Sequence, residues 1–312
     1  MQKTPVLCIV GPTASGKTAL AVQVAQALGG EIISMDSMQI YRRMDIGTAK
    51  PTLEERGNIP HHLIDILEPT EPFTVAEYAA QAEAEIQAVN ARGSLPILAG
   101  GTGFYLRALT DGLSLGGVKS DPALRDSLRR IAAEPGGIRR LHDRLRAVDP
   151  ISAEKLHEND VQRVSRALEV FELTGKPFSA QEQVMADRPF QFCLLGATME
   201  RALLYQRVNE RVDRMLRQGL LREIQSLLDA GVPAQAQSMQ GIGYKELTPA
   251  LLKRVPLSDA VTALKQNTRH YAKRQWTWFR ANPEVQWLDM TQPESVQQAL
   301  RVAGAFWKEA NA

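Results

Sequence analysis

The chain is poor in cysteine, with Cys8 and Cys193 alone among 312 residues, each inside an apolar, strand-like segment. So few thiols exclude a disulfide framework or a cysteine-based zinc site, and they read as buried core groups of a reducing, cytoplasmic compartment. No run of about 18 apolar residues occurs, which leaves no candidate transmembrane helix. The opening MQKTPVLCIV runs straight into the first expected strand, leaving no room for a signal peptide. Internal repeats and low-complexity segments are also missing. Acidic residues are absent from position 260 to position 283, although that stretch contains Lys265, Arg269, Lys273, Arg274 and Arg280. The overall balance hides this asymmetry, because the formal net charge is only +2. A hydrophobic content of 44% and a charged content of 23% are those of an ordinary globular protein with one large domain or two modest ones.

Residues 11–18 read GPTASGKT and follow the β-branched run Val6–Val10, while the Ala- and Leu-rich segment from Thr18 to Leu28 follows as a helix. Strand, glycine-rich loop and helix in that order form the context of a phosphate loop. Gly11 and Gly16 let the backbone turn around an oxyanion, with Pro12, Thr13, Ala14 and Ser15 forming the cradle between them. Amides at a helix start point at such an anion. Lys17 is placed to neutralise a terminal phosphate, and the Thr18 hydroxyl to ligate Mg²⁺. The cradle specifies a phosphate chain without specifying ATP.

Further apolar runs at Glu31–Ser34, Pro96–Ala99 and Cys193–Thr198, with a helical pattern over Val75–Arg92, imply βα units. The expected fold class is α/β, a phosphate-loop NTPase-like parallel sheet with ligands at the carboxyl ends of its strands. Residues 113–188 differ in carrying successive charged helix patterns, and form an expected α-helical insertion domain. Residues 1–112 and 189–312 then make the core, with a helical pattern from Arg201 through Leu228, another from Ser258 to Phe279, and a modest amphipathic helix after about Pro293.

The second strand leads into MDSMQIYRRMDIGTAKP, so Asp36 stands at a strand end on the side of the loop. There it could bind Mg²⁺, serve as a base for an acceptor, or merely cap a turn with Ser37. Gln39 adds an amide of the kind that pairs with adenine. The third strand leads into LAGGTGF, where Gly100, Gly101 and Gly103 allow close backbone approach and Thr102 offers a hydroxyl. His61 and His62 are adjacent, hence divergent, and do not read as a metal pair. In RALLYQRVNERVDRMLRQG, the residues Val208, Val212, Met215 and Leu216 form a core stripe, and Arg207, Arg211 and Arg214 another face, from which Arg211 is the choice to reach the polyanion site. The acid-free stretch interleaves Tyr271, Trp276, Trp278 and Phe279 with its cations, the footprint of a nucleic-acid backbone site.

Taken in order, GPTASGKT, IISMDSMQIYRRMDIGTAKP, IPHHLIDI, ILAGGTGFYLRAL, ENDVQRVSRALEV, QGIGYKE and RHYAKRQWTWFR resemble the tRNA dimethylallyltransferases, or isopentenyltransferases, over roughly residues 5 to 290. The resemblance implies transfer of a dimethylallyl group from dimethylallyl diphosphate to N6 of the adenine that follows the anticodon in tRNA, with diphosphate released. Amides of Thr13 to Lys17, the Lys17 ammonium, Mg²⁺ on Thr18 and Arg211 would stabilise the leaving group. Asp36 would be the general base, and Thr102 would contact the leaving oxygen or the nucleotide. The turn Asp36, Ser37, Met38, Gln39 would read the flipped adenine. The helical insertion, through Leu124 and Asp160, Val161, Gln162, Arg163 and Val164, would grip the anticodon loop. Gly241, Ile242, Gly243, Tyr244, Lys245 and Glu246, with Lys273, Arg274, Gln275, Trp276, Thr277, Trp278, Phe279 and Arg280, would contact stem and loop. One stem-loop per chain implies a monomer. A small-molecule phosphate-loop kinase, a nucleotide-switched RNA binder, and a prenyltransferase acting on free adenine nucleotides are the competing readings.

Overall fold

The computed structural model describes residues 3–111, 120–180 and 189–310. Six parallel strands form one sheet: β1 (Thr4–Val10), β2 (Gly30–Met35), β3 (His61–His62), β4 (Leu95–Gly100), β5 (Phe190–Thr198) and β6 (Gln286–Asp289), in the order β3-β2-β4-β1-β5-β6. This is the parallel α/β core that the apolar runs imply. Two strands went unread: β3 is only two residues long, and β6 reads QWLD with one fully buried side chain, Leu288. His61 and His62 pair with Ile32 and Ile33, and His62 lies between Glu31 and Glu85 at 2.7 and 3.2 Å.

Alternate side chains of β1 enter opposite layers, as the two-residue period of a strand requires. Leu7 and Ile9 join α1 (Lys17–Leu28) and the Ala299–Ala303 face of the C-terminal helix in one core. The helices from here to the carboxyl end of the sheet are α2 (Leu53–Arg56), α3 (Val75–Ala91) and α4 (Gly103–Thr110), of which α3 packs on β1, β2 and β4. Gly29 ends α1 in the left-handed conformation (φ 66°), which costs glycine nothing. Both cysteines are buried, and burial pushes both thiols up.

The chain divides into two compact units, Met1–Thr110 with Arg188–Ala312, and Asp111–Asp187. The second contains α5 (Pro122–Ala133), α6 (Gly137–Val148), α7 (Pro150–Lys155) and α8 (Val161–Thr174). Leu128, Leu141, Leu145, Ala153, Val164, Ala167 and Leu168 form its core. Aspartates cap three of the four helices: Asp121 on α5, Asp149 on α7 and Asp160 on α8. The short α7 begins at Pro150, a residue suited to the first position of a helix.

The remaining helices of the first unit are α9 (Arg201–Gln218), α10 (Leu220–Asp229), α11 (Tyr244–Leu251), α12 (Leu257–Arg280) and α13 (Ser295–Ala310). The single helical pattern through Leu228 is broken at Gly219, whose φ of 106° ends α9. Val208 and Val212 are fully buried, whereas Met215 and Leu216, also expected in the core, are only half-buried near that break.

Candidate active site

The loop after β1 is forced into its shape by three positive backbone angles, at Gly11 (φ 143°), Ala14 (66°) and Gly16 (91°). A Cβ on Gly11 would stand 2.4 Å from the carbonyl oxygen of Ala197 in β5, so only glycine fits between these strands. Gly16 caps α1 without any side-chain hydrogen bond, leaving the first helical amides to an external anion. Ser15 is fully buried and its Oγ has no hydrogen-bond partner, an orphan polar atom inside the cradle. Two of the amides expected to face the anion are engaged within the protein instead. Thr13 donates its N–H to Gln275 Oε1 at 2.8 Å, and Ser15 donates to Pro12 O at 3.3 Å. Lys17 Nζ donates to Pro12 O at 3.2 Å.

Three charges from three elements share this mouth. Burial draws Lys17 down to about 8, with the positive charge of Arg211 adding to the shift and Asp36 opposing it. Arg211 is lowered for the same first reason, burial, with Asp36 holding its charge and Arg214 opposing it. Lys17 from the loop, Asp36 from the end of β2 and Arg211 from α9 therefore lie within one electrostatic field. Arg207 and Arg211 are both half-buried and Arg214 is exposed, and of the three it is Arg211 that acts on Lys17.

Asp36 is half-buried and accepts the Met38 N–H at 2.9 Å, an Asx-turn that fixes its carboxylate. Ser37 N–H reaches Thr102 Oγ1 at 3.2 Å, while Thr102 N–H returns to Met35 O at 3.2 Å. The ends of β2 and β4 are thus stitched together, and a Cβ at Gly100 would fall 2.0 Å from Met35 O. Gln39 departs from its expected use. Its Oε1 accepts from Ser34 at 3.3 Å and its Nε2 donates to Thr48 O and Ala49 O at 3.4 and 3.3 Å. Its amide serves its own turn, and reading a base would require these bonds to exchange.

Tyr271, one of the aromatics interleaved with the cations, is half-buried. Burial first, then the charge of Asp36, pushes its phenol well up, while Thr102 and Gln275 beside it oppose the shift. The sequence signal for this placement was its i,i+4 spacing to Gln275, which puts two polar tips on one inward face of α12.

That helix divides sharply by face. Lys273, Arg274, Thr277, Trp278 and Arg280 are exposed, Trp276 is half-buried, and the Arg280 guanidinium stands 4.2 Å from the Trp276 ring centre. Gln275 and Phe279 are buried and unavailable to an RNA surface. Nor is the helix wholly without counter-charges, because Lys265 pairs with Asp213 of α9 at 2.6 Å.

The QGIGYKE segment is likewise mostly interior. Gly241 packs on Met38, whose Cε would lie 2.4 Å from an added Cβ. Glu246 accepts the Gly243 N–H at 2.8 Å, and buried Tyr244 donates to Glu223 Oε1 at 2.6 Å. Glu223 also accepts the amides of Asp45, Ile46 and Gly47 at 2.8, 2.7 and 3.0 Å. Ile242 is half-buried, and Lys245 is exposed. Buried Gly241, Gly243, Tyr244 and Glu246 hold the acceptor turn in place and do not themselves face solvent.

In the helical unit, Gln162 and Arg163 are exposed and Val161 and Leu124 half-buried against its core. Val164 is a core residue, and Asp160 caps α8 by accepting the Arg163 N–H at 3.3 Å, so neither is free to grip a loop.

Among the described residues no group of three or more His, Cys, Asp or Glu side chains is arranged to hold a metal. A Mg²⁺ ion fits the phosphate loop by a different route. The exposed Thr18 hydroxyl at the start of α1 is a hard oxygen donor, and Mg²⁺ takes its remaining ligands from substrate phosphates and water.

The description "IPP transferase" belongs to the family model that matches residues 39–282. The chain is 50% identical to the tRNA dimethylallyltransferase of Geobacillus thermodenitrificans, with 98% of each protein covered. It is 51% identical to that of Pelotomaculum thermopropionicum, over 92% of this chain and 91% of the relative. Among solved structures, the tRNA isopentenylpyrophosphate transferase of Bacillus halodurans superposes with a TM-score of 0.75 at 42% identity, covering 99% of this chain and 98% of that one. A eukaryotic dimethylallyltransferase acting on tRNA superposes with a TM-score of 0.81 at 31% identity, covering 98% of this chain and 80% of that one. On its sequence and on its fold, the chain belongs to the IPP transferase family, the tRNA dimethylallyltransferases.

Proposed function

We propose that this protein transfers a dimethylallyl group from dimethylallyl diphosphate to N6 of the adenosine 3′ to the anticodon of tRNA. The observation that carries the reading is the shared field of Lys17, Arg211 and Asp36: two cations beside the phosphate loop and one carboxylate at the neighbouring strand end.

The allylic C–O bond breaks with its electron pair leaving on the diphosphate. The open amides at the start of α1, the Lys17 ammonium and the Arg211 guanidinium stabilise that charge. The Thr18 hydroxyl would help hold a Mg²⁺ ion, which would supply further neutralisation of the leaving group's charge. The N6 lone pair is delocalised into the purine ring, so its attack on the allylic carbon needs the amine proton removed as the C–N bond forms. Asp36, its carboxylate fixed by the Met38 N–H, takes that proton. Thr102, its hydroxyl accepting the Ser37 N–H, orients the amine beside it.

A base must leave its stack to reach this mouth, at a cost of a few kcal/mol that is smaller in a loop than in a helix. The exposed cations Lys273, Arg274 and Arg280 of α12 suit the phosphates around such a base. The protein acts as a monomer on one stem-loop. Its two buried thiols suit the cytoplasm.

The test mixes the protein, Mg²⁺, labelled dimethylallyl diphosphate and unmodified tRNA, and counts label in precipitated RNA. Label is expected in the RNA and should vanish when the adenine after the anticodon is replaced. Label retained after that replacement, or no transfer to RNA at all, would overturn the reading.

A further inference from the structure

We infer that Gln275 is a positioning residue for the phosphate loop and makes no contact with RNA, an inference that rests on the donor site proposed above. Its side chain is 6% exposed, on the inward face of the helix whose outward face carries the cations. Its Oε1 accepts the N–H of Thr13 at 2.8 Å, and its Nε2 donates to the carbonyl of Gly101 at 2.9 Å. Both partners are backbone groups of fixed polarity, so the amide has one possible orientation. A single neutral side chain thereby bridges the phosphate loop and the loop after β4.

Two features make this more than packing. Gly101 has no side chain where Nε2 lies, and a Cβ there would approach it to 2.1 Å, so the backbone is shaped to receive the amide. The Thr13 N–H is also drawn out of the cradle, which sets the plane of the Pro12–Thr13 peptide, one residue before Ala14, itself held at φ 66°. The direction of the amides that follow depends on that peptide plane. Glutamine supplies the necessary donor and acceptor without adding charge to a mouth already occupied by Lys17, Arg211 and Asp36. A carboxylate would set an oxygen against Gly101 O, and an aliphatic chain would leave Thr13 N–H and Gly101 O buried without partners.

The experiment compares the full-length wild type with Gln275→Leu and Gln275→Glu. Affinity for inorganic pyrophosphate is read by titration calorimetry, and affinity for an unmodified anticodon stem-loop RNA by fluorescence anisotropy. Steady-state KM is measured for each substrate, with thermal unfolding as the fold control. Gln275→Leu is expected to weaken pyrophosphate binding by about tenfold, the scale of two lost hydrogen bonds in a buried place, with RNA affinity within about twofold of wild type. The KM for the prenyl donor should rise while that for RNA stays. Gln275→Glu keeps the acceptor for Thr13 but sets an oxygen against Gly101 O and adds negative charge beside the anion, so its pyrophosphate affinity should fall at least as far as that of Gln275→Leu. Pyrophosphate binding by Gln275→Leu that matches wild type would overturn the inference. So would an equal loss of RNA and pyrophosphate affinity in Gln275→Glu. A wild-type chain that binds no pyrophosphate would overturn the donor site itself, a separate result.

Discussion

The helical unit and the mouth of the sheet treat charge in opposite ways. Glu169, fully buried on α8, is surrounded by Arg125 at 2.9 Å, Arg166 at 2.6 Å and the N–H of Asp121 at 2.8 Å. Asp149 accepts from Ser152 and from both the N–H and the hydroxyl of Ser179. Every carboxylate oxygen in these clusters accepts at least one hydrogen bond, as a stable interior requires. At the sheet mouth, Lys17 and Arg211 lie in the field of Asp36, with Arg214 and Glu55 also acting on Arg211, and the Ser15 hydroxyl has no partner. Charges completed by the protein hold it together, whereas charges left in excess are available to a ligand. The difference marks the second region as the site, independently of any motif.

The largest test of that comparison is at Asp36. Replacement by Asn keeps the shape and removes the base, and kcat is expected to fall by roughly 10²–10⁴, the usual worth of a general base. Because its carboxylate is completed by one amide only, the thermal midpoint should hardly move. A large loss of stability with modest loss of rate would place Asp36 among the structural carboxylates and erase the contrast.

The mirror experiment is Glu169→Gln. It removes the charge that two arginines share, both of which also reach solvent, and should cost about 3 kcal/mol, the lower part of the range for breaking a buried pair. Burial alone would raise the Glu169 carboxyl. The bonds from Arg125, Arg166 and the Asp121 amide outweigh it and leave it below its ordinary value. A carboxyl lowered on folding contributes stability above its unfolded pKa and loses it as pH falls through the folded one. The wild type should therefore weaken in acid through this group and the variant should not, as read by denaturant midpoints across an acid series. Equal acid sensitivity in both proteins would remove Glu169 from that account.

How much of this was legible follows from the same contrast. The β-branched runs of β1, β2, β4 and β5 announce a parallel sheet because strands buried on both faces must be apolar throughout. β3 and β6 lie at the edges, are short and carry polar residues, so no periodicity betrays them. At the site, Gly11, Lys17, Asp36 and Thr102 sit at strand ends, where order along the chain dictates place. Motif blocks are less informative on helices, because a block does not say which face is inward. Gln275, Phe279, Tyr244 and Val164 stood beside exposed neighbours and were taken with them, yet all four are interior. Gln39 carried the right group for reading a base, and only the structure shows that group engaged with Ser34, Thr48 and Ala49.

The smallest expected effect is a proton count, and it sharpens the contrast most. Lys17 is drawn down to about 8, first by burial and then by Arg211, so in the free protein a large share of this side chain is neutral near that pH. A bound diphosphate supplies the missing negative charge and must raise the Lys17 pKa again. Binding should therefore take up protons near pH 8. Uptake should be negligible well below that value, where Lys17 is already charged, and affinity should fall as pH rises through it. Calorimetry of pyrophosphate binding in buffers of different ionisation enthalpy reads the count directly, with Lys17→Met as the reference for the ligand's own protonation. Arg211→Ala removes the second cause of the shift, so the pH at which uptake begins should move upward while the count stays the same. Uptake unchanged in position by that substitution would mean that Arg211 does not share the field of Lys17, and that the excess of charge at this mouth belongs to the lysine alone.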